Sequence, residues 1–502
     1  MQSANDWIIP IALFGAIVGS FLNVVIFRLP RGLSIGKPSW SFCPHCGKQI
    51  RPIHNIPVIG WLALRGRCRD CRAPIGLVYP VIECATALLF VMVWDALFLA
   101  GAVPGMEAAV PARDWPMAIA YLTLFAGLLA TAAMDIESYT IDIRVSILTM
   151  GVGVACHAIR GLPSVLDTAD IVTTATPATA MPTGLLPAAL CVIGVAVGVT
   201  WWLTARIGSH LLARQSDGSA QDVESEATAG IDPPDEPPTF YRSGETTRFR
   251  PGIVVIFSAL IVFLIGWQMA APEPAHSAND ALAAGWPRGL LACSVFMLLL
   301  LSASLVHREA DDQIIQDIES ERQGARSMVL RELAWFLPAL LAGIGLFAYA
   351  RASGKVTMDL SQWPGLPDAD SSWLPHLQGA CQAAAAMTFA AALGWSVRIA
   401  GTLAFGKEAF GTGDIYIMAA IGAVCGFWAA LFAFFLAALL ALVGVLVTLF
   451  RKTSRAVPFG PWLALGACVA LWVAGPLLGY FRPVGRMLWS ILSGLPVWQL
   501  DG

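Results

Sequence analysis

About twenty consecutive apolar residues are enough to carry an α-helix across a bilayer, and this chain supplies such runs repeatedly. Windows near 7–28, 79–101, 116–134, 143–161, 184–205, 252–271, 288–306, 332–350, 376–400, 415–428, 429–450 and 459–481 read as roughly twelve spans. In lipid a segment must satisfy its backbone hydrogen bonds internally, so the expected fold class is all-α, a polytopic membrane helical bundle. With 57% hydrophobic and only 13% charged residues in 502, a soluble multidomain protein is excluded, because lipid has to replace water around most of the surface. The net charge of −3 says little about partners, since the placement of Lys and Arg among loops matters more than their total. Nothing points to nucleic acid.

The opening residues, Met1 to Asp6, lack a basic stretch, and the run Trp7 to Phe27 shows no small-residue cleavage pattern, so it reads as a retained first helix. Orientation follows from the next segment. Residues 29–78 carry Arg31, Lys37, Lys48, Arg51, Arg65, Arg67, Arg69 and Arg72 against the single acid Asp70, an excess expected on the cytoplasmic side. The N-terminus is then outside, and counting spans puts the ends of helices near Asp135 and Asp414 inside. Residues 206–250 are rich in Ser, Asp, Glu, Gly and Pro and read as a disordered cytoplasmic loop. Residues 307–331, with Ile314, Ile315 and Ile318 among charges, read as a short surface helix, and the tail 482–502 as an interfacial segment.

Of the eleven cysteines, only Cys43, Cys46, Cys68 and Cys71 are patterned; the others lie singly in apolar runs, where cysteine behaves as a small hydrophobe. Cys43-Pro-His-Cys46 and Cys68-Arg-Asp-Cys71 form two C-x2-C knuckles separated by 21 residues. Four thiolates suit tetrahedral zinc, and a closed four-sulfur shell leaves no position for water, so the ion expected here is structural. Disulfides are disfavoured in a reducing loop. His45 and His54 read as solvated loop residues.

Two acids stand at span ends on the face that the basic loops mark as inner: Asp135, after the run 116–134, and Asp414 in Gly411-Thr412-Gly413-Asp414, before the run beginning at Ile415. Adjacent carboxylates do not readily both ionise, so one can polarise a scissile carbonyl while the other takes a proton from water, as in aspartic proteases. Gly411 and Gly413 are expected to permit unusual backbone angles and close approach of an extended substrate. The plainer alternatives are an N-cap for Asp414 and a headgroup-solvated acid for Asp135. Spacing alone does not choose between them.

Taken together, several ordered blocks resemble the bacterial prepilin peptidases, or type IV leader peptidases. They are Gly19-Ser20-Phe21-Leu22-Asn23-Val24-Val25-Ile26-Phe27-Arg28-Leu29-Pro30, the two cysteine knuckles with Asn55-Ile56-Pro57 between them, Tyr79-Pro80-Val81-Ile82-Glu83, Gly411-Thr412-Gly413-Asp414, and Pro458-Phe459-Gly460-Pro461. The resemblance implies a membrane aspartic endopeptidase with catalytic Asp135 and Asp414, acting at the cytoplasmic face of the bacterial inner membrane. It also implies a partner, the basic leader of a type IV pilin-like or pseudopilin precursor. For many family members it implies S-adenosylmethionine-dependent N-methylation of the new terminus, with Phe21, Leu22, Asn23, Arg28 and Glu83 on the substrate or methyl-donor side.

The chain departs from that pattern in three places. Asp142-Ile143 stands where the family usually has Pro-Asp, which makes Asp142 a rival to Asp135; Ile415-Tyr416-Ile417 replaces the stretch that often carries Lys; and residues 162–375 are an inserted region with about four extra spans. The expected organisation is therefore a first helix (1–28), a four-cysteine zinc loop (29–78), a core with the first acid (79–161), the insertion (162–375), a core with the GxGD motif (376–481) and the tail (482–502). An even insertion leaves the side of Asp414 unchanged. The rival readings are a presenilin-like intramembrane aspartic protease, against which the cysteine loop argues, and a transporter or assembly scaffold using the acids for ions or packing.

Overall fold

The structure, a computed structural model, describes residues 4–161 except 104, 107, 108, 139 and 140; residues 325–330 and 332–333; residues 374–450 except 407; and residues 458–472. The expected spans at 184–205, 252–271 and 288–306, all but two residues of 332–350, the loop 206–250 and the tail 482–502 lie outside the described residues.

The described residues are helical, without strands, as the apolar runs require. In order they form α1 (Ile8–Arg28), α2 (Ile59–Ala63), α3 (Val78–Phe98), α4 (Pro111–Ser138), α5 (Ile143–Arg160), α6 (Leu374–Phe405), α7 (Thr412–Cys425) and α8 (Phe427–Phe450). A ninth, α9, covers Gly460–Trp472. Five helices are long and apolar enough to cross a membrane: Ile8–Arg31, Val78–Phe98, Pro111–Glu137, Ile143–Arg160 and Gly379–Phe405.

Burial separates the centre of the bundle from its rim. In the most apolar window of α4, 89% of residues are buried, against 28% in α1, so α4 is central and α1 peripheral. Ile9, Leu13, Phe14, Ile17 and Phe21 recur at helical spacing along α1 and are exposed, the face a lipid-contacting helix presents. The opposite face of α1 packs on α3. There Gly15 and Gly19 stand four apart, and a Cβ on either would come within 2.7 Å of an α3 Cα atom, of Ala87 and Glu83 respectively. Small residues at this spacing let two backbones approach closely where no water is available to drive association.

Helices α4 and α5 form an antiparallel pair closed by Asp114. Its Oδ2 accepts from the Val110 N–H at 2.9 Å, and its Oδ1 accepts from Arg160 Nε at 2.7 Å, joining the start of α4 to the end of α5. At the other end, α5 is capped by Asp142, whose carboxylate accepts from the Arg144 N–H at 2.9 Å. Helices α6 and α7 then pack against α5, and α7 also reaches α4.

One boundary changes the reading of a candidate residue. Asp135 was expected just beyond a span; instead α4 continues to Ser138 and holds Asp135 within the helix. The extension is possible because both acids of its last turn have partners: Gly460 for Asp135 and Arg31 for Glu137.

Candidate active site and four-cysteine centre

At the start of α7 the backbone of Gly411 supplies the helix cap, and Asp414 is the third helical residue. From that position its carboxylate turns back toward the backbone of Gly411, with Oδ2 3.0 Å from where a Cβ on that glycine would be, as the acid of a capping box does. Asp414 is therefore not the N-cap itself. Its Oδ1 has no hydrogen-bond partner although the residue is only 7% exposed.

Asp135 faces the same place from α4, close enough that the two carboxylates interact electrostatically. It is also 7% exposed. Its Oδ2 accepts from the Gly460 N–H at 2.9 Å, and a Cβ on residue 460 would fall 2.8 Å from that same oxygen. Glycine suits that position because any Cβ would crowd the carboxylate oxygen that the backbone N–H holds. The sequence signal was available in the Pro458-Phe459-Gly460-Pro461 block, but nothing local connected it to Asp135.

The glycines of the tetrapeptide act differently from expectation. Gly411 has φ −68° and ψ 144°, ordinary extended backbone, and Gly413 is absent from the positive-φ residues of the described chain. A Cβ on Gly413 would lie 2.7 Å from Ile141 Cβ, so its lack of a side chain admits the α4–α5 connection over the start of α7. Close packing replaces backbone freedom as the reason for glycine. Asp142, the rival acid, is engaged elsewhere: Arg144 Nη2 and Nε donate to its Oδ2 at 2.6 and 3.1 Å. The Arg144 side chain, together with the Arg144 N–H, holds the Asp142 carboxyl below the usual range despite partial burial.

The four cysteine sulfurs all lie within 4.8 Å of one another, with Cys43 Sγ and Cys71 Sγ 3.9 Å apart. Tetrahedral zinc with Zn–S of about 2.3 Å has sulfur–sulfur edges of roughly 3.8 Å, so the donor set and its size fit that ion. The two knuckles repeat one hydrogen-bond scheme. The Cys43 N–H donates to Lys48 O at 2.9 Å and the Gly47 N–H to Cys43 O at 2.9 Å; the Cys68 N–H donates to Ala73 O at 2.8 Å and the Arg72 N–H to Cys68 O at 3.0 Å. In both, the residue after the second cysteine is left-handed, Gly47 at φ 65° and Arg72 at φ 62°. No cysteine among the described residues is in a disulfide. Burial pushes the Cys43 thiol up, while at Cys68 burial is outweighed by the facing N–H groups of Cys71 and Asp70, which hold it down. Metal binding must displace the proton from Cys43.

Asn23, Arg28 and Glu83 converge beneath this loop, lining a cavity of about 160 Å³ with Phe27, Tyr79 and Trp61. Arg28 donates to the carbonyls of Ser34, Ile35, Pro38 and Trp40, and so organises the chain leaving α1. Glu83 Oε2 accepts the Val58 N–H at 2.6 Å, fixing a turn in which Val58 has φ 61°. Asn23 Nδ2 donates to Tyr79 O at 3.2 Å, and its Oδ1 has no hydrogen-bond partner. Of the α1 residues expected on this side, Phe21 points outward and Leu22 is buried, and neither lines the cavity. The aspartates do not line it either. The link between the two centres is Arg31, whose Nη2 donates to Glu137 Oε1 at 2.7 Å, two residues from Asp135.

The described residues thus form a multi-pass helical membrane protein with a four-sulfur cluster and two buried carboxylates. Residues 13–97 match the Bacterial Peptidase A24 N-terminal domain. The chain is 53% identical over 78 residues to a Myxococcus xanthus "Prepilin leader peptidase/N-methyltransferase", covering 16% of this chain and 23% of that protein. It is 36% identical over 144 residues to an Escherichia coli "Type 4 prepilin-like proteins leader peptide-processing enzyme", covering 24% and 46%. A Burkholderia pseudomallei "Prepilin leader peptidase/N-methyltransferase" is 36% identical over 155 residues, covering 25% and 44%. These likenesses support placing the chain in the prepilin peptidase family. The matches span between about a quarter and a half of those relatives' lengths. No solved structure matches.

Proposed function

We propose that this protein is a membrane aspartic endopeptidase that removes the leader of type IV pilin-like precursors, with Asp135 and Asp414 as its acid/base pair. The observation that carries the proposal is that both carboxylates are buried and close enough to interact, with the Gly460 N–H bonded to Asp135 and the backbone of Gly411 beside Asp414. One carboxylate takes a proton from water as the oxygen adds to the scissile carbonyl, while the protonated partner donates to the carbonyl oxygen. Collapse of the tetrahedral species breaks the C–N bond, and the leaving amine takes up a proton from the pair. No covalent enzyme intermediate is needed.

The excess of basic residues in 29–78 supports a cytoplasmic cysteine loop and, through the Arg31–Glu137 contact, cytoplasmic aspartates with the N-terminus outside. Zinc held by Cys43, Cys46, Cys68 and Cys71 would staple that loop and supply no Lewis-acid chemistry, since its shell is closed.

The printed names of the relatives motivate N-methylation of the new terminus as a second activity. The cavity beneath the loop, about 160 Å³, is below the roughly 300–1,000 Å³ usual for ligand sites.

The test is cleavage of a purified pilin-like precursor by wild type, Asp135→Asn and Asp414→Asn. Each substitution should lower the rate by at least about 10²–10⁴, the usual contribution of a positioned acid or base. Cleavage that survives both removes the peptidase reading.

A further inference from the structure

The backbone just ahead of Asp414 is held by one buried cation. Arg398, on α6 and 2% exposed, directs its guanidinium at three groups. Its Nε and Nη2 donate to the two oxygens of Glu332 at 3.2 and 3.3 Å; Nη1 donates to Glu408 and, at 2.6 Å, to the Phe410 carbonyl. One turn further along α6, fully buried Thr402 accepts the Ala409 N–H at 3.2 Å on its Oγ1. The stretch of chain from Glu408 to Phe410 is therefore tied to α6 through three successive residues, and the backbone of the next residue, Gly411, lies against Asp414 Oδ2.

The Phe410 ring extends the same support to the other acid. It packs edge-on against Phe459 at 5.4 Å and against Phe434 at 5.8 Å. Phe459 immediately precedes Gly460, whose N–H holds Asp135. The two glycines that adjoin the acids thus follow two phenylalanines in mutual contact, and Arg398 grips one of them.

We propose that Arg398 is a positioning residue that sets the placement of Asp414 relative to Asp135, and that residues 325–330 and 332–333 belong to this support through Glu332. The inference rests on the peptidase reading above. Helical residues 325–330 bury Ala325 and Val329, and the Arg326 guanidinium lies 3.2 Å from where a Cβ on Gly406 would be, so this segment meets the chain ahead of Glu408 as well as Arg398. The region that the family resemblance leaves without a counterpart therefore touches the aspartate site through an ion pair.

Arginine is suited to this position because its planar fork makes a bidentate bond to Glu332 with two N–H groups and leaves others for Glu408 and Phe410 O. Lysine retains the charge but has three donors for the four bonds Arg398 makes.

The experiment measures kcat and KM for a type IV pilin precursor with full-length wild type, Arg398→Lys and Glu332→Gln in detergent, with an active prepilin peptidase as control and thermal unfolding to count folded protein. Arg398→Lys should lower kcat per folded molecule about ten- to a hundredfold, because small misplacements of reacting groups cost that much, with KM changed less than about twofold. Glu332→Gln keeps the shape of the side chain and should lower kcat in the same direction by less. If the variants are merely less stable, with wild-type kcat per folded molecule, the positioning role is overturned. If Arg398→Lys does not fold, Glu332→Gln decides alone, and an unchanged kcat there overturns it. If the wild type fails to cleave while the control succeeds, the peptidase reading falls first and takes this inference with it.

Discussion

The cysteine loop and the aspartate pair are both small constellations of polar groups in an apolar protein, yet they are assembled in opposite ways. Each half of the cysteine centre is local: two ligands three residues apart, a bond from the following N–H back to the first cysteine, and a left-handed residue to finish the turn. The aspartate pair has no local half. Asp135 is oriented by Gly460 from α9, and Asp414 is tied to α6 by Arg398 acting through the backbone before it. A locally built site tolerates change elsewhere in the bundle, whereas a site built from distant helices inherits every error in their packing.

That contrast can be broken most strongly at Gly460. A methyl group there would sit 2.8 Å from Asp135 Oδ2, so Gly460→Ala should reduce leader cleavage about 10²-fold by displacing one acid while the chain still folds. The measurement is kcat in detergent with zinc content as a folding control; a rate within threefold of wild type would mean that the backbone at 460 does not place Asp135.

Next comes the loop. Cys43→Ser removes a buried sulfur from the four-sulfur set, so bound zinc measured by elemental analysis should fall from about one per chain toward none. Limited proteolysis should then cut within residues 29–78, and the cleavage rate should fall far less than in the aspartate variants. A loss of peptidase activity as deep as that of Asp414→Asn would show that the two regions are not separately built.

Asp142 distinguishes a cap from a catalyst. Because the Arg144 side chain holds its folded-state carboxyl below the unfolded value, its contribution to stability is present above the unfolded pKa and is lost as pH falls through the folded one. Asp142→Ala should cost about 1 kcal/mol at neutral pH and less in acid, seen as a smaller difference in Tm from wild type at pH 3 than at pH 7. Leader cleavage should persist; its abolition would return Asp142 to the active pair.

The smallest effect compares the two knuckles directly. Gly47 and Arg72 hold matching left-handed positions, and there a side chain is unfavourable by roughly 1–2 kcal/mol. Gly47→Ala should therefore lower the Tm slightly, and Arg72→Gly should leave it unchanged or raise it. A raised Tm for Gly47→Ala or a lowered one for Arg72→Gly would break the equivalence of the two halves.

Much of this was legible beforehand in particular residues. The apolar runs identified α1, α3, α4 and α5 because helix burial in lipid is written as consecutive hydrophobicity, and the cysteine cluster was legible because its ligands sit at fixed local spacing. The continuation of α4 past Asp135 was not, since the groups that let it continue, Gly460 and Arg31, come from elsewhere in the chain. Asp414 was recognised through its tetrapeptide, but the use of the glycines was not: Gly413 makes room for Ile141 and does not supply an unusual backbone angle.

By itself, then, the amino-acid sequence determined that this is an all-α, multi-pass membrane protein with a four-sulfur centre near its start, because hydrophobic run length and ligand spacing are properties of neighbouring residues. Only the tertiary structure decided that Asp135 faces Asp414 and that Arg398 grips the backbone leading to the second acid. Those are contacts between segments far apart along the chain, and they exist only once the helices have packed.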